Sequence, residues 1–320
     1  MMRTRKFIFM AAAIASAMSV FSCAKVEDTI TKVEAITFGA SFYNDEDSHK
    51  ESNKTVIEQT ESAYKILWEG SDQIAVSGAT EAFVITPAIT EPSASVTFTG
   101  EAVEAPVYYG AYPFSALKAW NGANATMELQ KSQPARKGSF ASDVNISVSA
   151  TSADTRNFQF HNVLGYLKFT IGEQSGQITD FAVIAIGQEK LSGEFTVDCS
   201  DAEPKLVATA DANIFAALSS KEPLAPGDYY LAMFPGTYAK GLWFVVKGPD
   251  GVASKMLQPE EGLKLERGKV NTLGTINIEN WLTSGPVFDA EFGEGFADED
   301  IFGSDGNMEG FGPEDSFEFN

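Results

Sequence analysis

Short runs of β-branched and aromatic residues alternate with turn-forming clusters along most of this chain of 320 residues. Between residues 33 and 278 the runs recur about every 8–12 residues, without a long apolar pattern of period 3.6. Such spacing is typical of antiparallel β-sandwiches, because parallel sheets need connecting helices. The first run is 33–42. Its alternation places Ile36, Phe38 and Phe42 on one face, so we predict an all-β chain that begins with a half-buried strand.

Two tandem β-sandwich domains are predicted, with a boundary in a polar stretch. Residues 142–157 are rich in Ser, Ala and Thr and contain no large apolar residue after Val148, a composition typical of linkers. The predicted organisation is a signal peptide at 1–22, an N-terminal sandwich at 24–157, a C-terminal sandwich at 158–281 and a tail at 282–320.

Charge and composition argue against several classes of function. The chain has 23 Lys and Arg against 44 Asp and Glu, a formal net charge of −21. Nucleic-acid binders need clustered cations, so that class is not expected. His49 and His161 are the two histidines, and they lie in no metal-spaced pair or nucleophile motif. We therefore predict a non-enzymatic protein with no catalytic residue, metal ligand or cofactor.

The N-terminal segment is typical of a secretory signal. Three cations within the first six residues precede an apolar run at 7–20, which is too short to cross a bilayer of about 30 Å. The ending Val20-Phe21-Ser22-Cys23 resembles a bacterial lipobox, cleaved between Ser22 and Cys23. This resemblance implies a diacylglycerol thioether on Cys23 and an acylated amine, which together would anchor the chain to the outer membrane. The alternative is an ordinary signal cut nearby, with Cys23 as a free thiol.

Five segments within the strand region form a series: ILWEGSDQIAV (66–76), VYYGAYPFSA (107–116), FQFHNVLGYLKFTI (158–171), LAPGDYYLAMFPGTYAKGLWFVV (224–246) and LERGKVNTLGTINI (265–278). Their content, order and spacing resemble the fimbrillin family, the subunits of type V pili and related surface lipoproteins of Gram-negative anaerobes. The resemblance covers roughly residues 31–281. It implies two transthyretin-like sandwich domains and a role in adhesion or pilus assembly at the cell surface.

The resemblance also implies assembly by strand exchange with the same or other pilus subunits. In such pilins a groove lies under the first strand of the lipidated precursor, proteolysis in the following loop removes that strand, and a neighbour's terminal strand fills the groove. The corresponding segments here are the first strand at 33–42, the loop at 43–53 and the closing strand at 270–278. The closing strand has an alternative reading, which we favour, as an ordinary last strand of the second sandwich.

Maturation of the precursor has two alternatives. No Arg lies between Cys23 and Arg136, so the basic sites nearest the loop are Lys50 and Lys54. Either a lysine-directed protease cuts there, or the protein keeps its lipid as an anchor, an accessory subunit or a protein that stands alone. The sequence leaves both open.

The C-terminal segment differs sharply in composition. Residues 282–320 contain eleven Asp and Glu, seven Phe and no Lys or Arg. We interpret this segment as a flexible acidic tail, because self-repulsion opposes an independent fold. The alternative is a binding segment that orders on a basic, apolar partner surface.

Capture of glycans is the alternative function. Flat aromatic rings provide stacking surfaces for sugars, and Trp120 lies in a stretch, 117–122, that we predict to be a loop. Trp68 and Trp243 lie in strand patterns and are predicted to be core residues. A host or glycan ligand is therefore a second class of partner.

Overall fold

A computed structural model describes residues 32–43, 56–59, 64–173, 175, 177–248 and 251–277. Within these ranges the regular elements are β-strands and two short 3₁₀ helices, so the predicted all-β class is confirmed. Among the described residues no helix is long and apolar enough to cross a membrane. The predictions that lie outside the described residues are those for the signal peptide with Ser22 and Cys23, for Lys50 and Lys54, and for the tail at 282–320.

The strands follow one another in short lengths separated by turns. The first twelve are β1 Val33–Phe42, β2 Val56–Gln59, β3 Tyr64–Leu67, β4 Gln73–Val76, β5 Phe83–Ile85, β6 Ser95–Val103, β7 Val107–Tyr112, β8 Leu117–Asn121, β9 Asn124–Leu129, β10 Ser132–Pro134, β11 Ser147–Ser152 and β12 Asn157–Asn162. The remaining strands are β13 Gly165–Ile171, β14 Asp180–Ala185, β15 Gly193–Asp198, β16 Leu206–Ala208, β17 Phe215–Ser219, β18 Gly227–Met233, β19 Gly236–Tyr238, β20 Leu242–Gly248, β21 Gly251–Leu257, β22 Leu263–Leu265 and β23 Val270–Ile276. The 3₁₀ helices are Phe114–Ala116 and Ser142–Val144.

A closed sheet in the order β1-β12-β11-β7-β4-β5-β6 surrounds one aromatic core. The other sheets have the orders β10-β17-β14-β20-β21 (hereafter the β14 sheet), β18-β13-β23, β16-β15-β9-β8, β19-β22 and β2-β3. Most pairs are antiparallel, as predicted, but β1–β12, β10–β17 and β13–β23 are parallel.

Strand pairs join the two sides of the boundary that we predict at residue 157. β9 pairs with β15, β10 pairs with β17, and β12 lies in the closed sheet beside β1 and β11. The stretch interpreted as a linker is not one, because it contains β11, which pairs with β7 along its whole length. Small side chains such as Ser147 and Ser149 are buried there, where large ones would not fit. The division of the chain into domains at 157 stays a prediction.

Candidate functional site

The first strand has the alternation that the sequence predicts. Ile36, Phe38, Ala40 and Phe42 are at most 4% exposed, whereas Thr37 is exposed on the opposite face. Alternate residues of a strand point to opposite faces, so one side of β1 delivers four apolar side chains to the core.

Two aromatic triplets receive the phenylalanines of β1. Phe38 packs against Phe83, Tyr108 and Phe158, with ring centroids 5.7, 5.0 and 4.8 Å away. Phe42 stacks on Trp68 at 4.1 Å and contacts Tyr112 and Phe160 at 5.9 and 6.2 Å. We call these six rings the β1 groove. They come from four separate parts of the chain, so only the fold brings them together.

The backbone of β1 is paired unequally on its two edges. β6 pairs with it from Val33 to Ser41, but β12 pairs with it only over Gly39–Phe42. Gly39 lies at the point of closest approach, where a Cβ atom would stand 2.5 Å from Oδ1 of Asn157. Among the described strands, residues 33–38 therefore have a ladder partner on one edge only. Packing of their side chains consequently contributes much of the interaction that keeps this part of β1 in the sheet.

A buried carboxyl group lies beside the Phe42 end of the β1 groove. Asp72 accepts hydrogen bonds from the backbone N–H of Glu69 at 2.7 Å and from the hydroxyl of Tyr112, a groove ring, at 2.9 Å. Burial raises the pKa of Asp72 to about 6, because the charged form loses hydration that these bonds only partly replace. Asp72 thus ties the turn after Trp68 to β7, and its ionisation at neutral pH works against folding.

The pKa of Asp72 predicts a pH-dependent stability. Its folded pKa exceeds the ordinary value of 3.8, so its contribution to the free energy of unfolding is complete below pH 4 and is lost as the pH rises through about 6. We expect wild type to lose about 2 kcal/mol relative to Asp72→Asn between pH 4 and pH 7. Urea denaturation of both proteins at several pH values measures this, and a pH-independent difference would contradict it.

Other titratable groups form no catalytic arrangement that we recognise in the described ranges. Cys199 is buried, and burial raises the pKa of its thiol to about 12, so little nucleophilic thiolate exists at neutral pH. His161, on β12, stacks on Tyr43 at 4.5 Å, and burial lowers its pKa. Within the described residues no group of three or more His, Cys, Asp or Glu is placed to hold a metal ion.

Trp120 lies in strand β8, and the predicted loop is wrong for this residue. It is paired with Ala125 of β9, and the turn begins two residues later, at Gly122, which has a φ of +61°. The Trp120 ring is half-buried and lines a cavity of about 290 Å³. Phe114, Leu117, Thr80, Glu81 and Lys118 are among the other lining residues.

The closing strand β23 has a bulge that the sequence pattern does not reveal. Its parallel ladder with β13 shifts register between Lys168 and Phe169, and Gly274 has a φ of +78°. As a result the buried residues of β23 are Val270, Leu273 and Ile276, which do not follow the alternation of a regular strand. β23 pairs with β13 of its own chain, and its role as a closing strand or a donor strand stays a prediction.

No protein-family model and no curated protein sequence matches the chain. Several solved structures resemble it. A candidate cell adhesion protein from Bacteroides ovatus shares 10% identity, with 78% of this chain and 95% of that chain covered and a TM-score of 0.48. One from Bacteroides uniformis shares 13% identity over 78% and 96% of the two chains, with a TM-score of 0.44. The tip fimbrial protein Mfa3 from Porphyromonas gingivalis, with C-terminal truncation, shares 8% over 75% and 94%, with a TM-score of 0.32.

The matched proteins are described as cell adhesion and fimbrial proteins, the classes that the fimbrillin resemblance indicates. At TM-scores below 0.5 these similarities assign no function. A proposal about the function therefore has to rest on the residues of this chain.

Proposed function

We propose that this protein is a non-enzymatic cell-surface lipoprotein of the fimbrillin type, a fimbrial subunit or an accessory or anchor protein in adhesion, that pairs with other subunits through the β1 groove. The observation that carries the proposal is the seating of β1, which places four apolar side chains in an aromatic groove. The half-paired backbone edge of residues 33–38 supports it further.

Loss of β1 would leave a site that another strand can fill. Burial of each large apolar side chain contributes about 1.5–3 kcal/mol, so an empty groove exposing six rings is strongly disfavoured. A strand with apolar residues at alternate positions would restore both the packing and the backbone hydrogen bonds to β6. The groove therefore suits an occupant defined by its alternation more than by its exact sequence.

A lipid on Cys23 is part of the proposal. We expect a clickable palmitate analogue to label the wild-type protein in cells, because the lipobox-like sequence makes Cys23 the acylated residue. Cys23→Ser should lose the label and the membrane association. Cys199→Ser is the matched control and should keep both, since that thiol is buried in the fold. Unlabelled wild-type protein, or label that persists in Cys23→Ser, would contradict lipidation at this position.

The N-terminus of the surface-extracted protein decides which form is functional. Sequencing that finds acylated Cys23 means that the protein acts as an anchor or stands alone, with β1 in place. A start just after Lys50 or Lys54 means a processed subunit whose groove has been vacated. Lys32 provides an internal control, because it is exposed and pairs with Glu34 at 3.0 Å, and a cut there would leave β1 attached. A start after Lys32 would contradict maturation by removal of β1.

Glycan binding is the second candidate, favoured by the cavity beside Trp120. The half-buried indole lies beside polar groups of Thr80, Glu81 and Lys118, a combination that suits a sugar ring. If this function is correct, polysaccharides will retard the protein in affinity electrophoresis, and Trp120→Ala will abolish the retardation. Val207→Ala, at an exposed position in β16, should leave it unchanged. Absence of retardation across a broad polysaccharide panel would remove this candidate.

A further inference from the structure

The β14 sheet is buried on both faces. Only its inner face packs against residues of other sheets. Its inner face carries Phe181, Val183 and Phe244, which pack with residues of β13, β18 and β22. The outer face carries six residues that are at most 2% exposed, and we call it the Trp243 face: Ala182, Ile184, Phe215, Ala217, Trp243 and Val245.

Among the described residues no second layer of apolar side chains packs on the Trp243 face. All its members lie on β14, β17 and β20, and the partly buried residues packed against them adjoin those strands or lie on β21: Ile186, Ile214, Val252 and Met256. A sheet face open to water would leave rings such as Phe215 and Trp243 substantially exposed. Burial this deep requires a cover, and the apolar residues of the described ranges do not supply one.

We propose that residues 282–320 of the same chain cover the Trp243 face. The described chain ends next to this sheet. The carbonyl of Ile276, the last residue of β23, accepts a hydrogen bond from Ser175 Oγ at 2.6 Å. A few residues further on, the N–H of Thr179 donates to the carbonyl of Lys247 on β20, and β14 begins. The chain therefore leaves β23 close to the end of the β14 sheet, which the segment from 278 onward has to pass to reach the outer face.

The composition of the segment suits this surface. Its seven phenylalanines can fill an apolar face, and its eleven carboxylates are complementary to cations at the border. Nζ of Lys131 lies 5.5 Å from the centroid of the Phe215 ring. Lys247 shares the alternation of Trp243 and Val245 and so belongs to the same face of β20. Apolar filling in the middle and opposite charge at the rim both favour residues 282–320 as the cover.

Asp180 is an independent indication that another segment covers the Trp243 face. It is 3% exposed and shares the alternation of Ala182 and Ile184, so it lies on the Trp243 face. Its Oδ2 accepts a hydrogen bond from Thr179 Oγ1 at 2.7 Å, whereas Oδ1 has no hydrogen-bond partner in the described part of the chain. A buried carboxylate oxygen without a donor is costly, and backbone N–H groups of a covering segment would supply one.

Hydroxyl-radical footprinting of the full chain tests the cover. In one variant all seven phenylalanines of 282–320 become alanine, and in the matched control all seven become leucine. We expect the alanine variant to raise the oxidation of Trp243 and Met256 several-fold, because the apolar cover is lost. The leucine variant should stay within about twofold of wild type. Trp68 and Met127, buried in the other cores, report whether the fold is intact and should not change.

Zero-length carbodiimide cross-linking of the wild-type monomer is the second measurement, and it does not depend on the variants folding. We expect cross-linked peptides that join carboxylates of 282–320 to Lys131 or Lys247. The inference is overturned if these cross-links are absent from the monomer, or if Trp243 is oxidised equally in the alanine variant and in wild type. Protection of Trp243 that disappears on dilution, with a dimer mass by light scattering, would also overturn it and would identify a second copy as the cover.

Discussion

Phe38→Ala is expected to lower the free energy of unfolding by about 3–5 kcal/mol. Phe38 is completely buried, and its ring contacts Phe83, Tyr108 and Phe158, so truncation removes three aromatic contacts and leaves a cavity in the closed sheet. The surrounding rings belong to three different strands of that sheet and cannot all move inward to fill the cavity. Urea denaturation followed by fluorescence measures the change.

Thr37→Ala is the matched control for this substitution. Thr37 is the neighbouring residue on the exposed face of β1, where its hydroxyl contacts that of Thr99 at 3.0 Å. Loss of an exposed hydrogen bond should cost less than about 1 kcal/mol. If the two substitutions cost the same, β1 contributes little through its buried face, and strand exchange at the β1 groove loses its physical basis.

Release of β1 from the folded protein is expected to create a site that the peptide 33–42 refills. A protease site introduced at 44–53 allows the chain to be cut after folding, and mild denaturant then removes the fragment that carries β1. At a peptide concentration about 100-fold above its Kd, binding stabilises the stripped protein by about 2.7 kcal/mol. For a chain of this size we expect the Tm to rise by roughly 4–6 °C.

A variant peptide tests whether the groove recognises alternate apolar side chains. The peptide that carries Ser in place of both Phe38 and Phe42 keeps the backbone donors and acceptors but loses the two anchors, so it should neither bind nor stabilise. A peptide that carries Ala in place of Thr37 should behave like wild type, because that residue is exposed. Equal binding of all three peptides, or no stabilisation by the wild-type peptide, would contradict the proposed exchange.

Local alternation was enough to predict the candidate strand, and it failed where pairing partners mattered. Ile36, Phe38 and Phe42 were assigned to one face from period alone, because alternation along a strand depends only on the residues of that strand. Trp120 was misplaced because the strand around it has only five residues, none of them fully buried, and becomes a strand by pairing with β9. The 142–157 stretch failed similarly, since β11 is a small-residue strand stabilised by β7.

The groove itself was not visible in the sequence as a site. Its six rings lie between positions 68 and 160, and the alternation within each run does not show which other run it packs against. The buried Asp72 gave no signal either, because a carboxylate in a turn is normally exposed. Its pKa rises only because the fold places Tyr112 and the turn backbone around it.

The sequence by itself determined the all-β class, the half-buried first strand, the predicted secretory address and the absence of an evident catalytic motif, since all of these depend on composition and on neighbours within a few residues. Only the tertiary structure decided that β1 runs parallel to β12, that two aromatic triplets receive its phenylalanines, and that the Trp243 face is buried. Strand pairing joins residues more than a hundred positions apart. Its free energy comes from backbone hydrogen bonds, which nearly every residue can make, and from side-chain packing, which depends on the whole fold. The order of the residues therefore specifies the strands, while their partners are selected by the fold that buries the most apolar surface with the fewest unpaired backbone groups.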